Sequence, residues 1–168
     1  IAAAQGLSIP LVFNTGGYDR MSTIKLLEDV FDIYMPDFKF WDPQVAEGAC
    51  RAGDYPEIAR QALTEMHRQV GDLQVDQQGI ARQGLLIRHL VLPGGLAGTR
   101  KIMKFIAQNL SPDSYVNIMS QYRPCGRAAE VSGLNSNLKP EEYHAAVQAA
   151  KAEGINRLDR PQRVHAFR

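Results

Sequence analysis

The chain has few cysteines, almost no net charge and no long hydrophobic run. Its 168 residues include 2 cysteines, Cys50 and Cys125, which lie far apart in the sequence and outside any C-x-x-C pair. A disulfide framework requires a larger set of cysteines in a secreted chain. We therefore expect two free thiols in a protein of the reducing cytoplasm.

The weak charge and the lack of long apolar runs exclude two classes of partner. A net charge of +1 provides neither a nucleic-acid footprint nor a polybasic membrane patch. No apolar run reaches the roughly 18 residues of a transmembrane helix. The first residues, IAAAQG, lack the basic flank of a signal peptide. They are typical of a helix end at Gly6, which predicts that the chain is part of something longer.

Sequence signatures of several enzyme classes are absent as well. The chain contains no G-x-S-x-G nucleophile turn, no complete P-loop and no H-E-x-x-H pair. Neither cysteine has a catalytic cysteine's local signature, and no metal-binding residues cluster densely in the sequence. The sequence therefore predicts a binding half-site without visible catalytic chemistry and without a metal site of its own.

Apolar strand-like runs alternate with amphipathic helical patterns along the chain. The strand-like runs fall at 9–14, 32–37, 85–92 and 115–121. The helical patterns fall near 57–70, 99–109 and 140–152. This alternation predicts an α/β fold with a parallel sheet in sequential order and helices on one side. A break near 72–83, centred on Gln77-Gln78-Gly79, predicts a β-hairpin insertion. No linker divides residues 1–168, so we expect a single domain.

Polar residues or glycine turns follow each predicted strand. They are Asn14 and Thr15, Asp37 and Lys39, Arg88 and His89 before the Gly94-Gly95 turn, and Gln121, Tyr122 and Arg123. Because parallel strands present their carboxyl ends at one edge, we expect these residues to converge. Arg88 needs a carboxylate partner inside its apolar strand, and Asp37 is a candidate. Two cations together with neutral donors suit a ligand that carries a carboxylate and hydroxyls.

Taken singly, each of these residues also has a structural explanation. The glycines can serve turns that need positive φ. Asp37 and Lys39 can form a surface ion pair of little energetic value. His89, which points away from Arg88 along the strand, fits a hydrogen-bonded packing residue better than a ligand. Polar ends on four successive strands favour a site over these separate explanations.

Three segments of the sequence, taken in order, resemble segments of a known family. DIYMPDFK, RHLVLPGG and QYRP resemble radical S-adenosylmethionine proteins related to pyruvate formate-lyase-activating enzyme. The resemblance implies a partial (β/α)6 TIM-like barrel that binds S-adenosylmethionine and a [4Fe-4S] cluster. It also implies reductive cleavage of S-adenosylmethionine to a 5′-deoxyadenosyl radical, which abstracts hydrogen. In the activating enzymes, the hydrogen comes from a glycine of a partner protein.

The resemblance is to the carboxyl-terminal part of the family domain, its third to sixth β/α units. The family's C-x-x-x-C-x-x-C motif and Gly-Gly-Glu turn are not in this sequence, and Cys50 and Cys125 cannot replace three closely spaced thiolates. The cluster cysteines would then lie outside this chain. We therefore expect the 168 residues alone to be inactive, to retain no cluster and to bind S-adenosylmethionine weakly.

The resemblance also implies a set of cofactor contacts. Asn14 would lie near the bound S-adenosylmethionine, Asp37 and Lys39 near its ribose or methionine part, and Arg88 at its carboxylate. Gly94 would let the backbone approach the ligand. Some relatives carry His where Arg123 stands. The candidate cofactor-binding residues are Asn14, Thr15, Asp37, Lys39, Arg88, Gly94, Gln121 and Arg123.

Two other functions and one association remain open. The chain could be a fragment of an ordinary (β/α)-barrel lyase or aldolase with Lys39 as the Schiff-base residue, which requires an activated amine. It could also be a non-catalytic binding module. If two strands precede residues 9–14 in the family domain, their absence exposes an apolar sheet edge. Such an edge tends to pair with another chain, which predicts self-association through 9–14.

Overall fold

A computed structural model describes residue 6 and residues 8–159 of the chain. The strands are β1 (Val12–Thr15), β2 (Ile33–Pro36), β3 (Gln74–Val75), β4 (Ala81–Leu90) and β5 (Tyr115–Met119). The helices are α1 (Met21–Leu26), α2 (Pro43–Cys50), α3 (Tyr55–Val70), α4 (Thr99–Phe105) and α5 (Pro140–Ala152). The helical turn predicted before Gly6 lies outside the described residues. None of the described helices combines the length and the apolar composition needed to cross a membrane.

Four of the strands form a parallel sheet in the sequential order β1-β2-β4-β5. Asn14 lies opposite Met35, and Arg88 lies opposite Asn117. Beyond β5, Leu158 forms a single isolated parallel bridge to Val116. The predicted α/β fold with a sequential parallel sheet is confirmed.

The predicted hairpin is present, and its second arm is the first part of β4, which goes on to pair in parallel with β2. β3 pairs antiparallel with the first residues of β4, across a turn in which the Asp76 side chain accepts the N–H groups of Gln78 and Ile80 at 2.9 and 3.0 Å. The prediction started the parallel strand at residue 85, and the parallel pairing of β4 with β2 begins at Gly84, opposite Ile33, although β4 itself begins at Ala81. Gly84, at φ +114°, carries β4 past Asp72, where a Cβ would overlap the backbone.

The two faces of the sheet differ in how far they are covered. Tyr34, Ile87 and Val116 point to one face, where α3, α4 and α5 pack, and each is fully buried. We call the other side the open face. It is formed by the alternate residues Met35, Asp37, Leu86, Arg88, Leu90, Tyr115, Asn117 and Met119, all of which except Asp37 are half-buried.

His89 is a core residue of the helix-covered face, which confirms the packing role predicted for it. It is fully buried, with Nδ1 at 2.7 Å from the carbonyl oxygen of Phe38 and Nε2 at 2.9 Å from Thr99 Oγ1. Because a carbonyl oxygen only accepts, Nδ1 carries the proton and Nε2 accepts from the Thr99 hydroxyl. Burial lowers the pKa of His89 to about 4.

The buried His89 predicts a loss of stability in mild acid. In the unfolded chain its pKa is near 6.5, so between pH 6.5 and 4 the unfolded state binds a proton that the folded state does not. The free energy of unfolding should fall by up to about 3 kcal/mol across this window. Urea unfolding at a series of pH values measures the slope. His89→Gln removes this titration, so the free energy of unfolding should depend less steeply on pH, by up to one bound proton. Identical pH slopes for the variant and the unmodified chain would contradict the prediction.

Candidate functional site

Asp37, Lys39 and Arg88 meet at the carboxyl ends of β2 and β4. Arg88 donates from Nε to Asp37 Oδ1 at 2.7 Å, and its Nη2 lies at 2.7 Å from the same oxygen. Lys39 Nζ lies 3.2 Å from Asp37 Oδ2. The carboxylate is therefore shared by two cations, and the predicted carboxylate partner of Arg88 is Asp37. We call these three side chains the rim triad.

The rim triad carries one net positive charge next to the open face. The Asp37 side chain is 13% exposed, whereas those of Arg88 and Lys39 are 25% and 37% exposed. The carboxylate is thus buried beneath two cations that still reach solvent. Charge-assisted hydrogen bonds from such cations are the strong contacts that proteins make to carboxylates and phosphates. The geometry suits an anionic group held from above by Lys39 and Arg88.

The end of β1 approaches the triad through its glycine turn. A Cβ on Gly16 would lie 3.7 Å from Lys39 Nζ, and a Cβ on Gly17 would overlap the carbonyl oxygen of Asp37. Asn14 is exposed on the open-face side of β1, opposite Met35, one row before the triad. The Thr15 hydroxyl donates to Asp19 Oδ2 at 2.6 Å and accepts the Gly17 N–H at 3.2 Å. Thr15 therefore shapes the turn.

Tyr55, which the sequence did not indicate, ties the ends of β1 and β2 together. Its hydroxyl oxygen accepts the Lys39 N–H at 3.0 Å and lies 3.0 Å from the carbonyl oxygens of both Gly16 and Asp37. Burial raises the pKa of the Tyr55 phenol, so the hydroxyl keeps the proton that it donates to these carbonyls. The ring stacks on Tyr18 with centroids 5.9 Å apart. Tyr55 thus fixes the backbone of Gly16, Asp37 and Lys39, which positions two side chains of the triad.

The remaining predicted residues do not join the triad in the described contacts. The Gly94 N–H donates to Glu142 Oε1 of α5 at 2.7 Å, so it is engaged by the protein. Gln121 is exposed, and its Nε2 lies 3.1 Å from Met119 Sδ, which places it at the open face beyond the end of β5. Arg123 is exposed in the segment that follows β5. The structure therefore brings together Asp37, Lys39 and Arg88, with Asn14 and Gln121 at the margins.

Asn117 is a further residue of this region that the predicted set omitted. It lies directly opposite Arg88 in the register and is half-buried on the open face. The signal was present in the sequence, because Asn117 is the one polar residue in the strand YVNIM. A polar side chain in the middle of an apolar strand marks a position where a polar partner or ligand is expected, and Arg88 occupies the facing position on β4.

Comparison with known proteins gives one relative of substantial similarity. The chain is 34% identical over 150 residues to the uncharacterized protein MJ0674 of Methanocaldococcus jannaschii. The match covers 89% of this chain and 40% of that protein, so the chain spans less than half of its relative's length. No protein-family profile matches the chain. No solved structure matches it either.

Proposed function

We propose that this chain is the S-adenosylmethionine-binding part of a cytoplasmic radical S-adenosylmethionine enzyme of the pyruvate formate-lyase-activating type. The observation that carries the proposal is the rim triad, in which two cations share one buried carboxylate at the carboxyl ends of parallel strands. Bound S-adenosylmethionine would supply the 5′-deoxyadenosyl group for hydrogen abstraction, with a glycine of a partner protein as the expected hydrogen donor.

The sheet supports the barrel form of this proposal. Four parallel strands follow one another in sequential order, with helices on one face and a partly exposed face on the other. In a barrel of β/α units, helices form the outer layer, and the site lies at the carboxyl ends of the strands. We infer that the open face is the inner wall of a partial (β/α)6 barrel, of which these strands are the last four.

The side chains of the open face fit the chemical parts of S-adenosylmethionine. Lys39 and Arg88 offer donors for the methionine carboxylate, and Asp37 offers acceptors for ribose hydroxyls. The half-buried Leu86 and Leu90 lie on the same face as Arg88 and provide apolar surface for an adenine ring. Small-molecule sites combine such apolar walls with a few convergent polar groups.

The iron–sulfur cluster does not fit the described part of the chain. Within residue 6 and residues 8–159, no three His, Cys, Asp or Glu side chains form a group that could hold a metal ion. Cys50 and Cys125 belong to separate segments, and each is a free thiol. We therefore assign cluster binding to residues outside this chain, and we propose that the 168 residues alone retain neither cofactor.

The rim geometry gives less support to an aldolase. A Schiff-base lysine is activated by apolar burial or by a cationic neighbour. Lys39 Nζ instead lies 3.2 Å from an opposite charge, the Asp37 carboxylate, and its side chain is 37% exposed. A non-catalytic binding module would use the same triad, and it differs from our proposal only in the chemistry that follows binding.

The proposal is tested by the dependence of S-adenosylmethionine affinity on the triad. The protein encoded by the natural reading frame that contains these residues would be purified anaerobically and titrated by equilibrium dialysis. Lys39→Met should raise the dissociation constant about 10- to 150-fold, because it removes one charge-assisted contact of about 1.5–3 kcal/mol. Lys151→Met, on the exposed side of α5, is the matched control and should leave the affinity unchanged. Equal affinities for both variants, or no saturable binding by the unmodified protein, would refute the proposal.

A further inference from the structure

A cavity lies beside the rim triad, between α2 and the segment 122–134. It has a volume of about 650 Å³, within the range of small-molecule sites. Its floor is apolar, formed by Phe40 and Leu92 together with Leu90 and Leu134. The Tyr122 hydroxyl donates to the Leu134 carbonyl oxygen at 2.6 Å, which closes the segment that forms one wall. The wall of the cavity is thus fixed by a hydrogen bond. Polar residues surround the opening, and apolar residues form the floor.

The charges around this cavity leave one cation without a described ion-pair partner. Arg127 is neutralised by Glu130, with Nε at 2.7 Å from Oε2. Lys39 forms an ion pair with Asp37 in the rim triad. Glu47 Oε2 accepts the N–H of Gly53 at 3.1 Å. Arg51 is exposed at the cavity mouth, and no ion pair of Arg51 occurs among the described residues.

The backbone of Arg51 adds an independent observation. Arg51 ends α2 in the left-handed conformation, at φ +55° and ψ +40°, where its N–H reaches the Glu47 carbonyl oxygen at 2.9 Å. Glycine is the residue that suits this position at a helix end, since any side chain there is strained. A non-glycine residue held in a strained conformation is a sign of function when the side chain faces a cavity.

We propose that this cavity binds a small organic monoanion, a carboxylate with an apolar body, and that Arg51 is its anion-binding residue. The lining contains three cations, Lys39, Arg51 and Arg127, and two carboxylates, Glu47 and Glu130, which leaves one net positive charge. One net charge over an apolar floor matches a monoanion with an apolar tail. The cavity adjoins the rim triad, with which it shares Lys39, and its binding of a carboxylate does not depend on S-adenosylmethionine binding at the rim.

The test uses 3-phenylpropanoate as the probe and its uncharged isostere, 3-phenylpropanamide, as the reference. In the ¹⁵N-labelled chain, the carboxylate should shift the amide signals of Gly48, Arg51 and Val131 in a saturable manner. The amide should bind at least about 10-fold more weakly, because it cannot form the charge-assisted contact. Binding without preference for the carboxylate, no saturable binding, or shifts confined to Asn117 and Met119 of the open face would overturn the proposal.

Arg51→Gly separates binding from folding. Glycine suits the left-handed position, so the melting temperature should stay equal or rise, while the affinity for 3-phenylpropanoate should fall about 10-fold. Asp29→Gly is the matched control, because Asp29 is the other described non-glycine residue with positive φ, at +63°, and is exposed. It should stabilise the chain similarly without changing the affinity. If Arg51→Gly binds the probe as tightly as the unmodified chain, the assignment of Arg51 is wrong.

Discussion

Gly17→Ala is expected to lower the free energy of unfolding by at least about 3 kcal/mol. Two costs add at this position. Gly17 has φ +77°, where an alanine is strained by about 1–2 kcal/mol. Its Cβ would also overlap the carbonyl oxygen of Asp37, so the turn after β1 or the end of β2 must move. Because that carbonyl is hydrogen-bonded to Tyr55, the movement should also displace the backbone beneath Lys39.

The control for this prediction is Gly79→Ala in the β3–β4 turn. Gly79 has nearly the same backbone conformation, φ +80°, but a Cβ there meets nothing within 4 Å. It should therefore show only the conformational strain, about 1–2 kcal/mol. Urea unfolding of both variants gives their free energies of unfolding, and the difference in loss is the cost of the contact between a Cβ at Gly17 and the Asp37 carbonyl oxygen. Equal losses in the two variants would show that the ends of β1 and β2 are not locked together as the structure indicates.

The sheet could be predicted from the sequence because its central strands are short apolar runs with clear alternation. In β4, Leu85, Ile87 and His89 occupy the helix-covered face, while Leu86 and Arg88 occupy the other. That alternation places Arg88 correctly and predicts its need for a carboxylate. The amphipathic pattern of α3 is equally strong, with Ala59, Ala62, Leu63 and Met66 buried along one side.

The strand ends were less predictable, because they depend on the neighbouring strand. The apolar run from Ile9 suggested a strand over 9–14, yet β1 begins at Val12, which lies opposite the first residue of β2, Ile33. Helix α2 was missed for a different reason. Its start is signalled by Asp42, whose side chain accepts the Gln44 N–H at 2.7 Å, but its apolar pattern is weak and buries only Ala46.

The charged residues of the site could be predicted from the sequence, whereas the contacts that hold the surrounding backbone in place could not. Asp37, Lys39 and Arg88 follow from position on adjacent strands, which alternation and strand order determine. The engagement of Gly94 by Glu142 joins residues 48 positions apart, and no local pattern reports it. The same holds for Tyr55, whose hydroxyl reaches the ends of two strands from the first turn of α3. The expectation that Gly94 lets the backbone approach a ligand stays a prediction, and the structure adds that the Gly94 N–H is already bonded to Glu142.

Three exposed large apolar side chains of the described residues lie in β1 or just before it, at the edge of the sheet. Among the described strands, β1 pairs only with β2. Leu11 and Thr15 direct their carbonyl oxygens toward β2, so by alternation the backbone groups of Val12 and Asn14 point away from it. Ile9, Leu11 and Val12 are 67%, 37% and 46% exposed. An apolar edge with free backbone donors and acceptors is a template for pairing with another strand.

We therefore propose that two copies of the 168-residue chain associate through β1, and we expect Val12→Lys to weaken that association by about 100-fold. In a two-fold symmetric pair the substitution occurs twice, and about 1.4 kcal/mol per copy from lost apolar burial and like-charge repulsion gives this factor. Sedimentation velocity over a wide concentration range measures the dissociation constant. Val75→Lys is the matched control, since Val75 lies in β3 and is 48% exposed, close to Val12. It should leave the dissociation constant unchanged, because the substituted side chain lies outside the β1 edge. A chain that stays monomeric at every concentration, or equal weakening by both substitutions, would contradict association through β1.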